Sequence, residues 1–313
     1  VVLEAGTSEP GEIAELAAIS DPDVAVVTTV GEAHLEKLGS FQGVLTEKLD
    51  LVRGMREGGT AFVGESPDIL PTTADAIERR VKTVGFGPTA SPDARGELME
   101  PDGDGHFGFR WRDRTVRMSL PGRHVALDAL IALAVIDHLG YPVERAVEGV
   151  ARYTGGALRD EVRKIGGLTL VSDCYNSNPV SARAALDALA ARRSIGPRVA
   201  FLGTMREMGA REAGGHRDVL AHASELAIDL VVATGAFAAA ASEMELPFEV
   251  IVEENPAVAY DLLRDRLRGV IAEEGGATVL LKASRGVALE TLLPDFEDDF
   301  APAGNGASTG GDS

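Results

Sequence analysis

Nine short apolar runs, separated by stretches of helical spacing, constrain this chain more than any other feature. The runs fall at 1–4, 24–29, 60–63, 81–86, 167–172, 198–202, 229–234, 248–252 and 277–281. Helical spacing recurs at 11–19, 40–55, 67–80, 123–139, 143–152, 179–193, 212–226, 235–243, 255–274 and 286–292. Runs this short, bounded by turn residues, fit strands buried on both faces. A parallel strand pair needs a long crossover, which a helix supplies. The alternation therefore predicts an α/β fold of parallel sheets wrapped by helices.

The segment 95–120 departs from that pattern. PDGDG at 101–105 is a turn signal and its flanks alternate with period two, so a hairpin or β-meander is expected there. Arg110, Arg112 and Arg114 fall on one face of the strand this predicts, where they read as a solvated face. A helical stretch ends in YTGGAL near 153–158. That places one domain over 1–155 and a second over 156–296, with the polar, Gly-rich stretch 297–313 as a disordered tail.

A net charge of −19 argues against nucleic acid or an anionic membrane as a partner. Local cations and helix N-termini can still bind a nucleotide's phosphates in an acidic protein. The single cysteine, Cys174, rules out an internal disulfide and a multi-cysteine zinc site and suits a reducing, cytoplasmic setting. By residue type it is a small buried apolar side chain. No apolar run approaches the ~18 residues of a membrane span. The chain opens on VVL with no Met, positive charge or cleavage site, so a trimmed chain without a signal peptide is expected.

Ligands of an open parallel sheet sit beyond the carboxyl ends of its strands, and the unusual polar residues fall there. Glu4 closes VVLE, TTVGEAHLE (28–36) with His34 follows VAVV, and Asp173 closes LTLVSD. GTMREMG (203–209) follows VAFL, and Lys282 to Arg285 follow TVLL. By residue type alone, Lys48 is a solvated helix lysine and His34 a hydrogen-bonded loop histidine. Glu4 is equally a capping or paired acid and a cation ligand. His124 and Asp128 lie one turn apart on a helix with an apolar face at 127, 130, 131, 134 and 135; a structural pair and a nucleotide contact are both open. Asn178 before Pro179 signals an N-cap and first turn. The loop 173–178 then joins a strand end to a helix N-terminus, a natural anion site.

Together these strings resemble the Mur ligase family of ATP-driven amide-bond formers, most closely its MurF type. DCYNSNP (173–179) is similar to that type's D-x-Y-N-A-N-P, and LLKASRG (280–286) to L-x-K-G-S-R. FLGTMREMG (201–209), followed by His216, resembles V-L-G-D-M-x-E-L-G, and ALRDE around Arg159 resembles G-R-M-E. The likeness covers about 1–296. It implies a partial P-loop-type central ATPase domain, with a parallel sheet, helices and a small β-meander, and then a C-terminal Rossmann-like domain. It implies ATP and Mg²⁺ as cofactors, UDP-MurNAc-peptide and D-Ala-D-Ala as substrates, and a cytoplasmic monomer. Glu4 and His34 would contact Mg²⁺. Lys48, carbamoylated by CO₂, would exchange its positive charge for an anionic oxygen and position the metal and the reacting phosphate. His124, Asp128, Arg159 and Asp173 would meet ATP. Tyr175, Asn176 and Asn178 would lie at the junction with the peptide substrate. Lys282, Ser284 and Arg285 would hold the substrate carboxylate, which suits a bidentate arginine.

Two departures from the family pattern bear on activity. Val125 and Asp128 stand where the family's G-R-H-N-x-x-N has asparagines, and an ionised Asp cannot donate a hydrogen bond. The chain has no Gly-Lys pair and hence no G-x-x-x-x-G-K-[ST] phosphate loop. That loop's amides and lysine cradle the β- and γ-phosphates, so residues 1–313 are expected to show little or no ligase activity alone. Two alternatives stay open. One is another amino-acid ligase of the family, of the folylpolyglutamate or polyglutamate type. The other is a non-catalytic binding remnant, or a split subunit that takes its phosphate loop from another chain.

Overall fold

In the computed structural model, which describes residues 1–302, each half of the chain builds a sheet that is wholly or mainly parallel. The first half runs α1 (Glu12–Ser20), β1 (Val24–Val27), α2 (Leu35–Leu38), α3 (Phe41–Arg53), β2 (Thr60–Gly64), α4 (Ile69–Asp75) and β3 (Arg80–Val84). Its sheet has the order β1-β2-β3, all parallel. An antiparallel meander follows, made of β4 (Glu97–Leu98), β5 (His106–Trp111) and β6 (Arg114–Pro121). Then come α5 (Arg123–His138) and α6 (Val143–Ala151).

The second half runs β7 (Glu161–Ile165), β8 (Leu168–Asp173), α7 (Pro179–Ala191), β9 (Arg198–Leu202), α8 (Glu212–Ala223), β10 (Leu230–Ala233) and α9 (Ala236–Ser242). It ends with β11 (Glu249–Val252), α10 (Pro256–Glu274), β12 (Ala277–Lys282) and α11 (Leu293–Phe300). Its six strands lie in the order β11-β10-β9-β12-β8-β7, and only β7 is antiparallel to its neighbour. The chain steps from β8 past the β12 position to β9, moves outward to β11, and returns to fill the gap. The carboxyl ends of β8, β12 and β9 therefore form a topological switch point, where loops leave in opposite directions and open a crevice.

The apolar runs form strands because burial on both faces rewards them. Every residue of β2, β10 and β12 is buried. The largest apolar cluster crosses the seam between the halves. It includes Val27, Val30, Leu35 and Leu38 from the first and Met205, Met208 and Val219 from the second.

Several expectations are corrected. Residues 1–4 form no strand, and Val1, Val2 and Leu3 are exposed. The helix expected over 67–80 shrinks to Ile69–Asp75, and 286–292 holds two 3₁₀ turns. β7 was not anticipated, because the charges of EVRKI mask a strand that only closes a hairpin with β8. Nor does the tail begin at 297. Residues 297–300 finish α11, whose Leu293, Phe296 and Phe300 are buried at helical spacing despite the acids between them. Residues 303–313 of that expected tail lie outside the described residues. The meander is present, but the three arginines share no strand face. Arg110 is in β5, Arg112 in the turn at φ 55° and Arg114 in β6. They pair with Glu97, with Asp137, and with Asp113 and Glu144 respectively.

Candidate functional site

Strand register builds the first part of the site. β8 and β12 are parallel neighbours whose last residues, Asp173 and Lys282, are aligned. The Lys282 Nζ lies 2.8 Å from Asp173 Oδ2 and donates to the Asn176 carbonyl at 2.6 Å. At 1% exposure, this ammonium bonds protein groups and shapes the 173–178 loop from below. Ser284 is likewise buried; its hydroxyl donates to the Ser177 carbonyl at 3.2 Å and accepts from the Arg206 N–H at 2.8 Å. Arg285, in contrast, is exposed and pairs with Glu290 at 2.6 Å.

The loop then enters α7. Asn178 Oδ1 accepts from the Ser181 N–H at 2.9 Å, and the Asn178 N–H donates to Ser181 Oγ at 3.1 Å. This reciprocal box satisfies two donors at the helix start. Asn176 Oδ1 accepts from the Ser177 N–H at 2.8 Å. Tyr175 is exposed, its N–H donates to the Leu158 carbonyl, and the Arg159 guanidinium stacks 4.0 Å from its ring centroid. Cys174 is fully buried, and burial pushes its thiol up to about 12, so it is inert at neutral pH.

The second part gathers where the halves meet. His124 and Asp128 project from the first turns of α5. Both side chains are exposed, yet crowding by the surrounding protein still disfavours charge, lowering the imidazole and raising the carboxyl against their mutual attraction. The nearest acid to His124 is Asp160, with Oδ2 3.9 Å from Nε2. Asp160 was missed in the sequence, where ALRDE drew attention only to its arginine. Burial first, then the charge of Asp173, pushes it up to about 6.

The third part lies in the first half. Ser40 caps α3 by accepting from the Gly43 N–H, and the helix buries Val44, Leu45, Leu49 and Val52. Lys48 sits beside that face and is half-buried. Burial lowers its ammonium, although the charges of Glu47 and Glu4 oppose the shift; it is not the solvated lysine its type suggests. Glu47 is occupied elsewhere, accepting from the N–H groups of Gly11 and Ile13 at 2.7 and 2.8 Å. Glu4 is exposed and off the strands, within electrostatic reach of Lys48. His34 sits at the N-cap position of α2 at φ 55°, and its Nδ1 meets Glu207 Oε2 at 2.5 Å.

Among the described residues no group of three or more His, Cys, Asp or Glu forms a metal cage. Glu4 and Lys48 lie within electrostatic reach of each other, but among the described residues no hydrogen bond or ion pair joins His34 to either; its partner is Glu207. A carboxylate completed by phosphate oxygens is a donor set that suits Mg²⁺, which keeps several waters. Residues 1–136 match the Mur ligase middle domain and 159–285 the Mur ligase glutamate ligase domain. The chain belongs to the Mur ligase family. It is 30% identical over 298 residues to the UDP-N-acetylmuramoyl-tripeptide–D-alanyl-D-alanine ligase of Bacillus subtilis, covering 94% of this chain and 64% of that protein. The Treponema pallidum protein of the same name is 33% identical over 94% of this chain and 62% of its own length. Among solved structures, MurF from Acinetobacter baumannii superposes with a TM-score of 0.81 at 26% identity, over 94% of this chain and 63% of that one. MurF from Thermotoga maritima in complex with ADP gives 0.80 at 27%, over 95% and 67%. The chain thus spans under two-thirds of the length of these curated relatives.

Proposed function

We propose that this chain is the central and C-terminal part, with domains over 1–155 and 156–296, of a cytoplasmic, monomeric ATP-dependent ligase. Its reaction joins D-Ala-D-Ala to UDP-MurNAc-tripeptide in peptidoglycan precursor synthesis. The observation that carries this reading is the DCYNSNP loop, capped at the start of α7 and set at the switch point, in a chain similar to MurF proteins over 94% of its length.

A carboxylate accepts nucleophiles poorly until it is phosphorylated; the dipeptide amine then attacks the acyl phosphate, and an amide forms as phosphate leaves. Phosphoryl transfer of this kind depends on positioning and on neutralising charge. Glu4 and His34 would hold Mg²⁺, which supplies that neutralisation when bound. Burial of Lys48 favours the neutral amine that reacts with CO₂, and the resulting carbamate would present oxygen where an ammonium repels cations. His124, Asp128, Asp160 and Arg159 line the nucleotide side. Tyr175, Asn176 and Asn178 face the peptide. Lys282 and Ser284 hold the loop, and exposed Arg285 is free to exchange Glu290 for the dipeptide carboxylate.

Calorimetric titration of D-Ala-D-Ala into the chain tests this. Saturable binding that Arg285→Ala weakens about tenfold, as loss of one charge-assisted pair implies, is the expected result. Equal binding of L-Ala-L-Ala, or no effect of the substitution, sinks the reading. The same chain should release little or no ADP in response to D-Ala-D-Ala, because it has no G-K-[ST] loop.

A further inference from the structure

We infer that Glu207 is a positioning residue for His34, supplied from across the seam, so that the second half of the chain sets the tautomer of an imidazole belonging to the first. The significance of that tautomer rests on the role proposed above for His34; the positioning itself does not.

The contact joins residues far apart in the chain through the His34 Nδ1–Glu207 Oε2 pair at 2.5 Å. An ionised carboxylate can only accept, so Nδ1 carries the proton. Among the described residues no protein group bonds Nε2. The ring is thereby left with its lone pair on the outward nitrogen, the arrangement by which a carboxylate orients an imidazole ligand.

Both ends of the contact are held in backbone that resists relaxation. His34 and Glu207 have φ of 55° and 62°, left-handed conformations that non-glycine residues keep only where their surroundings fix them. On the first side, the Leu38 N–H donates to the His34 carbonyl at 2.9 Å. On the second side, the loop is fixed from beneath. Buried His216 accepts the Met205 N–H on Nε2 at 2.9 Å and donates from Nδ1 to the Glu212 carbonyl at 2.6 Å. Its ring packs edge-on against Phe237. Ser284 holds the Arg206 N–H. The Glu36 N–H then donates to the Glu207 carbonyl at 3.2 Å, tying the two segments directly. Gly209, at φ 52°, passes so close that a Cβ there would lie 3.3 Å from Glu36 Cα. His216 thus acts through the loop to hold Glu207, and Glu207 acts on the imidazole.

Nitrogen-15 NMR of the chain at alkaline pH, where an ordinary imidazole is neutral, reads the His34 tautomer. The expected wild-type state has the proton on Nδ1. Glu207→Gly tolerates the left-handed backbone and removes the carboxylate; it should move the proton to Nε2. Glu207→Gln, which keeps an acceptor oxygen, should restore Nδ1–H. Arg211→Ala, which breaks the neighbouring Arg211–Glu32 pair across the same seam, should leave the tautomer unchanged. A wild-type proton on Nε2, an unchanged tautomer in Glu207→Gly, or an equal change in Arg211→Ala would each overturn the inference. Mn²⁺ added as a probe separates the two readings. With His34 as a ligand, Glu207→Gly should weaken Mn²⁺ binding about 10–100-fold. Nδ1–H without any Mn²⁺ effect at His34 would support the positioning and overturn the metal role.

Discussion

The six-stranded and three-stranded sheets set their polar residues by different means. In the larger sheet, Asp173 and Lys282 end neighbouring strands, and the ladder aligns them before any side chain interacts. In the smaller, Glu4 lies off the strands, Lys48 rides a helix and His34 occupies a left-handed turn. No ladder brings those three into register, and the His34 ring takes its orientation from the opposite half. Strand-end chemistry is therefore fixed by backbone pairing, whereas chemistry on loops and helices needs a partner from elsewhere in the fold.

The harshest way to break this contrast is Lys282→Met. The stem volume is nearly kept, but Asp173 loses the cation that compensates it in a mostly buried setting, and the Asn176 carbonyl loses its donor. Removing one partner of a buried pair costs about 3–5 kcal/mol, read as a lower urea midpoint. A loss below about 1 kcal/mol would show that the ladder alone holds the crevice. Asp160→Asn is expected to act next most strongly, and its effect depends on pH. Because the folded carboxyl is raised from 3.8 to about 6, the folded state binds more protons than the unfolded state between those values. Stability contributed by the neutral acid is full below about pH 4, falls as pH rises towards 6, and is flat beyond. The variant should remove that fall, making the protein roughly 2–3 kcal/mol more stable than wild type at pH 7 and little different at pH 4. Parallel pH profiles of the two proteins would refute a raised Asp160.

This contrast also explains what the sequence could reveal. Uniformly apolar strands such as β2 and β12 announce themselves, and a residue closing one, as Asp173 and Lys282 do, is placed by the pattern. The pattern could not say that Lys282 points inward, because its ammonium is buried only once the 173–178 loop folds over it. Asp160 and Glu207 lie inside strings the sequence does single out, ALRDE and GTMREMG, but their roles stay hidden for a related reason: each matters through a partner on the other half, His124 and His34. Glu4 shows the converse, an apolar run that ends in a carboxylate yet forms no strand. The acidic α11 was hidden because its apolar spacing is interrupted by charges that simply face solvent.

Asn178→Ala sharpens the comparison at smaller scale. The side chain caps α7 within a reciprocal box, and loss of such a cap costs about 1 kcal/mol. Hydrogen exchange should quicken at the amides of Ser181 and the first turn of α7 while β8 and β12 stay protected. Uniformly faster exchange across β8 and β12 would mean that the loop supports the ladder instead of resting on it.

Arg211→Ala should have the smallest effect, and it asks what closes the seam. Arg211 bridges Glu32 of the first half at 3.1 Å and Asp218 of α8 at 2.8 Å, with its side chain about half exposed at 48%. Such pairs are screened by water and salt and contribute about 0–1 kcal/mol. The two halves also share one apolar core, in which Val30, Leu35 and Leu38 belong to the same cluster as Met205 and Met208. Burial of that kind is indifferent to moderate salt and scales with area. The substitution should therefore lower stability by less than about 0.5 kcal/mol in low-salt urea unfolding, and by less still at high salt. A loss above about 2 kcal/mol that vanishes with salt would mean that charge, not apolar packing, joins the halves. Orientation of His34 would then depend on ionic strength as well as on Glu207, because the loop presenting Glu207 would no longer be held by packing.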